Sequence, residues 1–314
     1  MSLLFAAPGW DAGPWLKRFA ALLPGHAIVT PDTLADRAAV RYAAVWRHPP
    51  GSLAHLPKLE AIFSLGAGVD HILSDPRLPD VAIARVVNAD LTARMSEWVV
   101  LNCLMHLRQT RRYARQQRER MWADDDDQPA ANEVRVGVLG LGELGRDAAL
   151  KLRALGFPVA GWSARAKNVA GIAGFAGPAG LEAMLAETDI LVCLLPLTSA
   201  TRGILDARLI ARLARDGRLG GPVLVNAGRG GLQVEADILA ALDSGALKGA
   251  SLDVFETEPL PADSPLWAHP AVFVTPHNAA LSHPDAVARA IAAQILAFER
   301  GEPLRHVVDR GRGY

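Results

Sequence analysis

The segment Val136-Gly-Val-Leu-Gly-Leu-Gly-Glu-Leu-Gly145 constrains the fold more than any other stretch of the chain. The run from Val134 to Leu139, with Val at alternate places, reads as a buried strand. It breaks into Gly140-x-Gly142-x-x-Gly145 and passes into a helical pattern of Leu144, Ala148, Leu152 and Leu155. At such a junction the first glycine allows a tight turn and the second lets a pyrophosphate approach the backbone. The third lets helix and strand pack closely, with the helix N-terminus toward the anion. A chain with 28 glycines in 314 residues can produce this spacing by chance, so its place between strand and helix is what gives it meaning. Gly140, Gly142, Glu143, Leu144 and Gly145 are therefore candidate dinucleotide contacts.

The remaining sequence has the alternation that such a turn needs. Beyond it, Val159–Trp162, Ile190–Leu195, Val223–Asn226, Ala250–Asp253 and Val272–Val274 read as strands, separated by helical stretches near 144–155, 181–187, 206–214 and 234–244. Strands alternating with helices imply a parallel sheet covered on both faces, with the loops that bind ligands on one edge. Residues 1 to about 90 repeat the pattern on a smaller scale: strands at Leu3–Ala7, His26–Thr30, Tyr42–Trp46, Ala61–Leu65 and Val81–Val86, and a helix at Trp15–Leu23. A helical pattern free of Gly and Pro runs from Leu91 to about residue 121, apolar through Leu107 and rich in Arg and Gln afterwards. The amphipathic stretch Asp285–Arg300 follows the last strand and is expected to pack back onto the first domain. The expected architecture is α/β: two doubly wound parallel-sheet domains, Rossmann-like and flavodoxin-like, with the active-site cleft between them. Their expected bounds are residues 1–92 plus 284–314 for a discontinuous substrate domain and 93–283 for the nucleotide-binding domain.

Composition excludes several function classes. With 33 basic and 33 acidic residues the formal charge is zero, so nothing in the charge balance suggests a surface for nucleic acid or anionic membrane. No apolar segment approaches the length of a membrane span, and the opening Met1-Ser-Leu-Leu-Phe-Ala-Ala reads as a strand rather than a signal peptide, so a cytoplasmic protein is expected. Cys103 and Cys193 lie in apolar surroundings and read as buried small hydrophobes. The run Asp124–Asp127 reads as a solvated linker, because four adjacent carboxylates cannot face one ion without a shaped loop; no metal site is expected.

The choice of dinucleotide follows from the end of the second strand. An NAD-specific unit places an acid about 20 residues past the glycines to hold the ribose 2′-hydroxyl. Here the tip reads Trp162-Ser163-Ala164-Arg165-Ala166-Lys167, with a hydroxyl and two cations and no carboxylate. Such a tip attracts a 2′-phosphate, and NADP(H) is the expected cofactor. Three later strand ends each present a reactive group: Arg229 in Asn226-Ala-Gly-Arg-Gly230, Glu258 in Asp253-Val-Phe-Glu-Thr-Glu-Pro259, and His277 in Thr275-Pro-His277. Each alone has an ordinary structural reading. All three on one edge of a nucleotide sheet point to chemistry.

These motifs, with Leu194-Leu-Pro196-Leu-Thr198, resemble the D-isomer-specific 2-hydroxyacid dehydrogenase family over essentially the whole chain. Val45-Trp46, Ser64-Leu-Gly-Ala-Gly-Val-Asp70, Trp162-Ser163 and Val308-Asp-Arg-Gly-Arg-Gly-Tyr314 resemble its glyoxylate/hydroxypyruvate reductase A branch. The resemblance implies NADPH-dependent reduction of glyoxylate to glycolate and of hydroxypyruvate to D-glycerate. By the same resemblance Arg229 binds the substrate carboxylate, His277 donates the proton, and Glu258 hydrogen-bonds the imidazole. Ala67 and Gly68, in the Gly66–Val69 backbone, bind the substrate carboxylate as an anion nest, while Trp46 and Trp98 are wall candidates with an equally good reading as core. Leu195, Pro196, Ala227 and Gly228 line the cofactor, and Asp253 orients its carboxamide. A homodimer is implied, with the helix from residue 91 contributing. Asn278 stands where the branch has an apolar residue, and the Asp124–Asp127 run has no counterpart in it. Two other readings share the motifs: a dehydrogenase of larger 2-keto acids, and a non-catalytic NAD(P)H-sensing binding protein. The complete Arg229, Glu258 and His277 set favours an enzyme.

Overall fold

Two all-parallel sheets organise the computed structural model, which describes residues 1–314. Each sheet belongs to one of two units, Met1–Leu91 with Ser282–Tyr314, and Thr92–Leu281. In the first unit, β1 (Ser2–Ala6), β2 (Ala27–Val29), β3 (Val40–Val45), β4 (Ala61–Ser64) and β5 (Ala82–Ala84) lie in the order β2-β1-β3-β4-β5. This is the flavodoxin-like order, which reverses between β1 and β3. Helix α1 (Ala12–Leu22) begins where the Asp11 carboxylate accepts the Gly13 N–H, an N-cap for a donor with no helical partner. Trp15 and Phe19, one turn apart, are buried with Phe5 and with Val287, Ile291 and Ile295 of the C-terminal helix, Pro284–Glu299. The C-terminal segment thus completes the core of the first unit, and emptying one such aromatic site costs about 3–5 kcal/mol. An Arg18–Asp285 ion pair joins the two helices at the rim. A short helix, α2 (Asp70–Leu73), follows the loop after β4.

Helix α3 (Ala89–Leu107) carries the chain past the boundary between the units, and α4 (Thr110–Glu119) follows it. The second sheet contains β6 (Val136–Leu139), β7 (Val159–Ser163), β8 (Ala173–Ala176), β9 (Ile190–Cys193), β10 (Val223–Asn226), β11 (Gly249–Leu252) and β12 (Val272–Val274). Helices α5 (Glu143–Ala154), α6 (Gly177–Ala186), α7 (Ala207–Ile210) and α8 (Glu235–Asp243) connect them. The order β12-β11-β10-β9-β6-β7-β8 is the dinucleotide-fold order extended by one strand, and it reverses between β6 and β9, where the glycine turn emerges. Period-2 alternation sends Val136, Val138, Ile190 and Val192 to one face, against Val99, Cys103, Ala148 and Leu152. Leu139, Leu191 and Cys193 go to the other, against Met184, Ile238 and Leu242. Both cysteines are free, and burial pushes each thiol up to about 12.

Four local expectations change. The helical pattern expected to run from Leu91 to about 121 is two helices, broken at Gln109, which takes a left-handed conformation (φ 51°). The break lets Gln109 and Arg112 reach Asp125, while Asp127 pairs with Arg218 at 2.7 Å. The expected solvated linker is therefore partly tied down by ion pairs. Strand β8, Ala-Gly-Phe-Ala, is not legible from its composition; it forms on the edge by pairing with β7. The helix expected over 206–214 shortens to α7, capped by the Asp206 carboxylate. No helix is long and apolar enough to cross a membrane, and no three His, Cys, Asp or Glu side chains are grouped to hold a metal.

Candidate active site

The glycine turn after β6 has the shape of a phosphate cradle. Gly140 has φ 99°, in the region that L side chains avoid. A Cβ on Gly145 would stand 1.8 Å from the Gly140 carbonyl oxygen, so only glycine permits this packing of helix on strand. A Cβ on Gly142 would meet nothing within 4 Å, leaving the backbone open to a ligand. Helix α5 starts at Glu143 with Gly142 as its cap and no side-chain hydrogen bond there, so Glu143, Leu144 and Gly145 lie in a first turn that no side chain caps. These residues fit a dinucleotide pyrophosphate.

At the tip of β7, Ser163 is buried and its hydroxyl donates to the Arg165 carbonyl at 2.7 Å. The Lys167 ammonium donates to the Leu141 carbonyl at 2.9 Å and so ties this tip to the glycine turn. Arg165 is exposed. Leu195 and Ala227 are buried at the ends of β9 and β10, with Pro196 half-buried beside them. Gly228 lies close against Leu195, where a Cβ would be 2.9 Å from its carbonyl oxygen.

Strands β10, β11 and β12 lie side by side, and their C-terminal ends carry the three reactive groups. At a strand spacing of about 5 Å, Arg229 and His277 leave the sheet about 10 Å apart, within reach of one small molecule. The buried Asn226 amide shapes the Arg229 loop, accepting the Gly228 N–H at 3.0 Å and donating to the Arg229 carbonyl at 3.3 Å. It also donates at 2.8 Å to Gln233, which donates in turn to the Val254 carbonyl at 2.9 Å. Gly230 is pressed against Phe255, with a Cβ position 1.7 Å from that carbonyl oxygen. The Arg229 guanidinium donates to the Gly228 carbonyl at 2.8 Å.

His277 has φ 52°, a conformation that costs a non-glycine residue of order 1–3 kcal/mol unless its surroundings hold it. Asp253 supplies that hold. Its backbone carbonyl accepts the His277 N–H at 2.8 Å. Its carboxylate, 2% exposed as a residue, accepts the Thr275 hydroxyl at 2.6 Å and the N–H groups of Asn278 and Ala279, both at 3.0 Å. The expectation of a carboxamide role for Asp253 thus gains a second one, as the clamp on the His277 loop. Thr275 accepts the Trp98 indole N–H at 3.1 Å, so Trp98 belongs to the core beneath this loop. The imidazole Nδ1 lies 2.8 Å from Glu258 Oε2, and Glu258 Oε1 accepts the Phe255 N–H at 3.2 Å. With Nδ1 held, Nε2 is the atom left for proton transfer.

In the first unit, Trp46 follows β3, and Ala67 and Gly68 lie half-buried in the loop after β4. The Trp46 ring packs on Gly66, where a Cβ would be 2.7 Å from it. The Gly66 N–H is taken up by the Ser64 hydroxyl at 3.3 Å, which narrows the anion-binding expectation to the N–H groups of Ala67, Gly68 and Val69.

Residues 100–279 match the family model described as "D-isomer specific 2-hydroxyacid dehydrogenase, NAD binding domain". The chain is 39% identical to the glyoxylate/hydroxypyruvate reductase A of Salmonella newport (strain SL254), over 100% of both chains. The chain belongs to the D-isomer specific 2-hydroxyacid dehydrogenase family. Two solved structures extend the likeness. One is an NADPH-dependent glyoxylate/hydroxypyruvate reductase from Sinorhizobium meliloti in complex with NADP and sulfate, 46% identical over 100% of this chain and 99% of that one, with a TM-score of 0.92. The other is a probable 2-hydroxyacid dehydrogenase from Rhizobium etli CFN 42 in complex with NADP, HEPES and L(+)-tartaric acid, 45% identical over the same shares, with a TM-score of 0.94. In this dehydrogenase, sequence reasoning overlooked Thr275, Asn226 and Gln233 as site-shaping residues. Thr275 and Asn226 lie inside the motifs themselves. Gln233 carries no local signal, because its partner Val254 is 21 residues away.

Proposed function

We propose that this dehydrogenase is a cytoplasmic NADPH-dependent reductase of small 2-keto acids, converting glyoxylate to glycolate and hydroxypyruvate to D-glycerate. The observation that carries the reading is the His277–Glu258 pair at 2.8 Å, on the same sheet edge as Arg229 and the glycine turn. The full-length similarity to reductases of that name, one of them solved with NADP, and to a probable 2-hydroxyacid dehydrogenase solved with NADP supports it. Gly140, Gly142, Glu143, Leu144 and Gly145 hold the pyrophosphate. Ser163, Arg165 and Lys167 take the 2′-phosphate, and Leu195, Pro196, Ala227, Gly228 and Asp253 line the remainder of the cofactor. When bound, NADPH supplies the hydride for the carbonyl carbon.

The residues of the chain do the rest. Arg229 clamps the substrate carboxylate with its planar fork and polarises the adjacent carbonyl. The N–H groups of Ala67 and Gly68 bind the carboxylate as well, and Trp46 walls the substrate. His277 delivers its proton from Nε2 to the carbonyl oxygen as negative charge develops there, and solvent reprotonates the ring afterwards. Glu258 orients the ring through Nδ1 and stabilises its protonated form. The product is the 2-hydroxy acid.

Initial rates test this reading. Glyoxylate and hydroxypyruvate should drive NADPH oxidation much faster than NADH oxidation at limiting cofactor. Arg165→Ala should raise KM for NADPH about 10–100-fold, the worth of one charge-assisted contact, and leave KM for NADH nearly unchanged. A wild-type preference for NADH would remove the basic tip from the account.

The same reading includes a homodimer. Trp122 is 99% exposed, Met121 beside it is also exposed, and Leu101 is exposed on α3. Exposed Arg115, Arg118 and Arg120 precede this apolar pair, and exposed Asp124 and Asp126 follow it. A patch with cations on one flank and anions on the other is complementary to a second copy of itself about a two-fold axis. Sedimentation should give a dimer for the wild type and a shift toward monomer for Trp122→Asp. A Trp122→Asp protein that sediments as the same dimer would exclude this surface.

A further inference from the structure

The loop after β4 is held by side chains to which the proposed reaction gives no part. Ser64, fully buried at the end of β4, donates its hydroxyl proton to the Gly68 carbonyl at 2.8 Å and accepts the Gly66 N–H at 3.3 Å. One oxygen therefore pins both ends of the Gly66-Ala67-Gly68 turn. The same oxygen lies 3.5 Å from Nε2 of His71, in α2. Nδ1 of that ring accepts the Arg47 N–H at 3.2 Å, in the turn after β3 where Arg47 itself has φ 47°. A single neutral tautomer, with the proton on Nε2, satisfies every one of these contacts. The result is a directed chain from the Arg47 N–H through His71 and Ser64 to the Gly68 carbonyl.

An aromatic contact accompanies this chain. The His71 ring lies 4.5 Å from the Trp46 ring, centroid to centroid, at 59°. Trp46 also packs against Gly66, where a Cβ would be 2.7 Å from the ring. The turn after β3 and the turn after β4 are thereby locked together on adjacent strands, with Val45 in register with Ser64. Both loops carry groups assigned above to the substrate. A nest of backbone N–H groups binds an anion well only when its dipoles are already aligned, because ordering them on binding subtracts from affinity.

We propose that His71 is a positioning residue that holds the Trp46 ring and the Gly66–Gly68 backbone in one arrangement and so sets the affinity for the substrate carboxylate. The proposal rests on the 2-keto acid reading of the site, since it assigns this loop to that substrate. It places His71 outside the proton transfer, which belongs to His277.

Two replacements separate its contacts. His71→Phe keeps a ring against Trp46 and removes both hydrogen bonds, whereas His71→Gln keeps a donor near the Nε2 position, facing Ser64, and removes the ring. His71→Phe should raise KM for glyoxylate at least tenfold, with kcat and KM for NADPH within twofold of wild type. His71→Gln should recover most of that loss. Ser64→Ala, which removes a single oxygen, should repeat the KM effect and carries the test should the ring replacement not fold. Wild-type KM for glyoxylate in His71→Phe, or in Ser64→Ala, would overturn the proposal, as would a loss confined to kcat. Amide hydrogen exchange over residues 64–71 gives a readout independent of turnover. Exchange should quicken in His71→Phe and return toward wild type in His71→Gln, and unchanged exchange would refute the tether. A wild-type protein that reduces no 2-keto acid would refute the functional reading, while the exchange result would still decide the tether.

Discussion

His277→Ala should lower kcat for glyoxylate reduction by about 10²–10⁴-fold, the range over which a positioned general acid acts. Hydride arriving at a ketone carbon leaves a full negative charge on oxygen. Without a donor in place, that charge must be met by water at neutral pH. The structure holds the imidazole for this task at three points: the backbone N–H on the Asp253 carbonyl, Nδ1 on Glu258, and the flanking loop on the Asp253 carboxylate. The loss should fall on kcat, since a proton delivered in the transition state contributes little to binding the ground state. Affinity for NADPH should stay close to wild type, because the glycine turn lies on another part of the edge. Steady-state rates with saturating NADPH check this, and wild-type turnover would remove His277 from the mechanism. His277→Ala should also relieve nothing at the backbone, because Ala tolerates φ 52° no better than His.

Arg229→Lys should fail to restore activity, with kcat/KM for glyoxylate reduced about 100-fold or more. The guanidinium presents a planar fork that matches a carboxylate in two parallel hydrogen bonds, while an ammonium is a single point charge. Losing one charge-assisted hydrogen bond costs about 1.5–3 kcal/mol, equivalent to about one to two powers of ten. Lys cannot keep the local anchor either, since the guanidinium donates to the Gly228 carbonyl through one arm of its fork. Both KM and kcat should suffer, because the same group holds the carboxylate and polarises the neighbouring carbonyl. A lysine variant with near-wild-type kcat/KM would show that simple charge suffices and that the fork has no role.

Much of this protein is legible in its sequence. The glycine turn declares itself because its geometry requires glycine at two positions, at Gly140 for its φ and at Gly145 for its contact with the Gly140 carbonyl. The central strands declare themselves because a parallel sheet covered on both faces needs nearly continuous apolar runs, as in Ile190–Cys193 and Val223–Asn226. Strand β8 escaped for the opposite reason. It is an edge strand of Ala, Gly and Phe whose formation depends on its neighbour β7 rather than on its own propensity. The break at Gln109 escaped because nothing in Arg108-Gln109-Thr110 stops a helix. Asp125, 16 residues further on, supplies the bond that the broken form makes.

By itself the sequence determined two doubly wound parallel-sheet units, a dinucleotide turn, a basic tip without an acid, and three reactive side chains at strand ends. Each depends on residue type and on spacing within one strand and its loop, which act locally. Which groups meet depends on the tertiary arrangement. It put Glu258 on Nδ1 of His277, gave the Asp253 carboxylate to the His277 loop, and made Trp98 part of the core under Thr275. It also joined Arg47, His71 and Ser64 into one chain, with the His71 ring against Trp46. Those contacts span 7 to 177 residues of sequence. They are set by strand order and register, which arise from how the whole sheet buries its two faces and leave no mark on any short stretch of the chain.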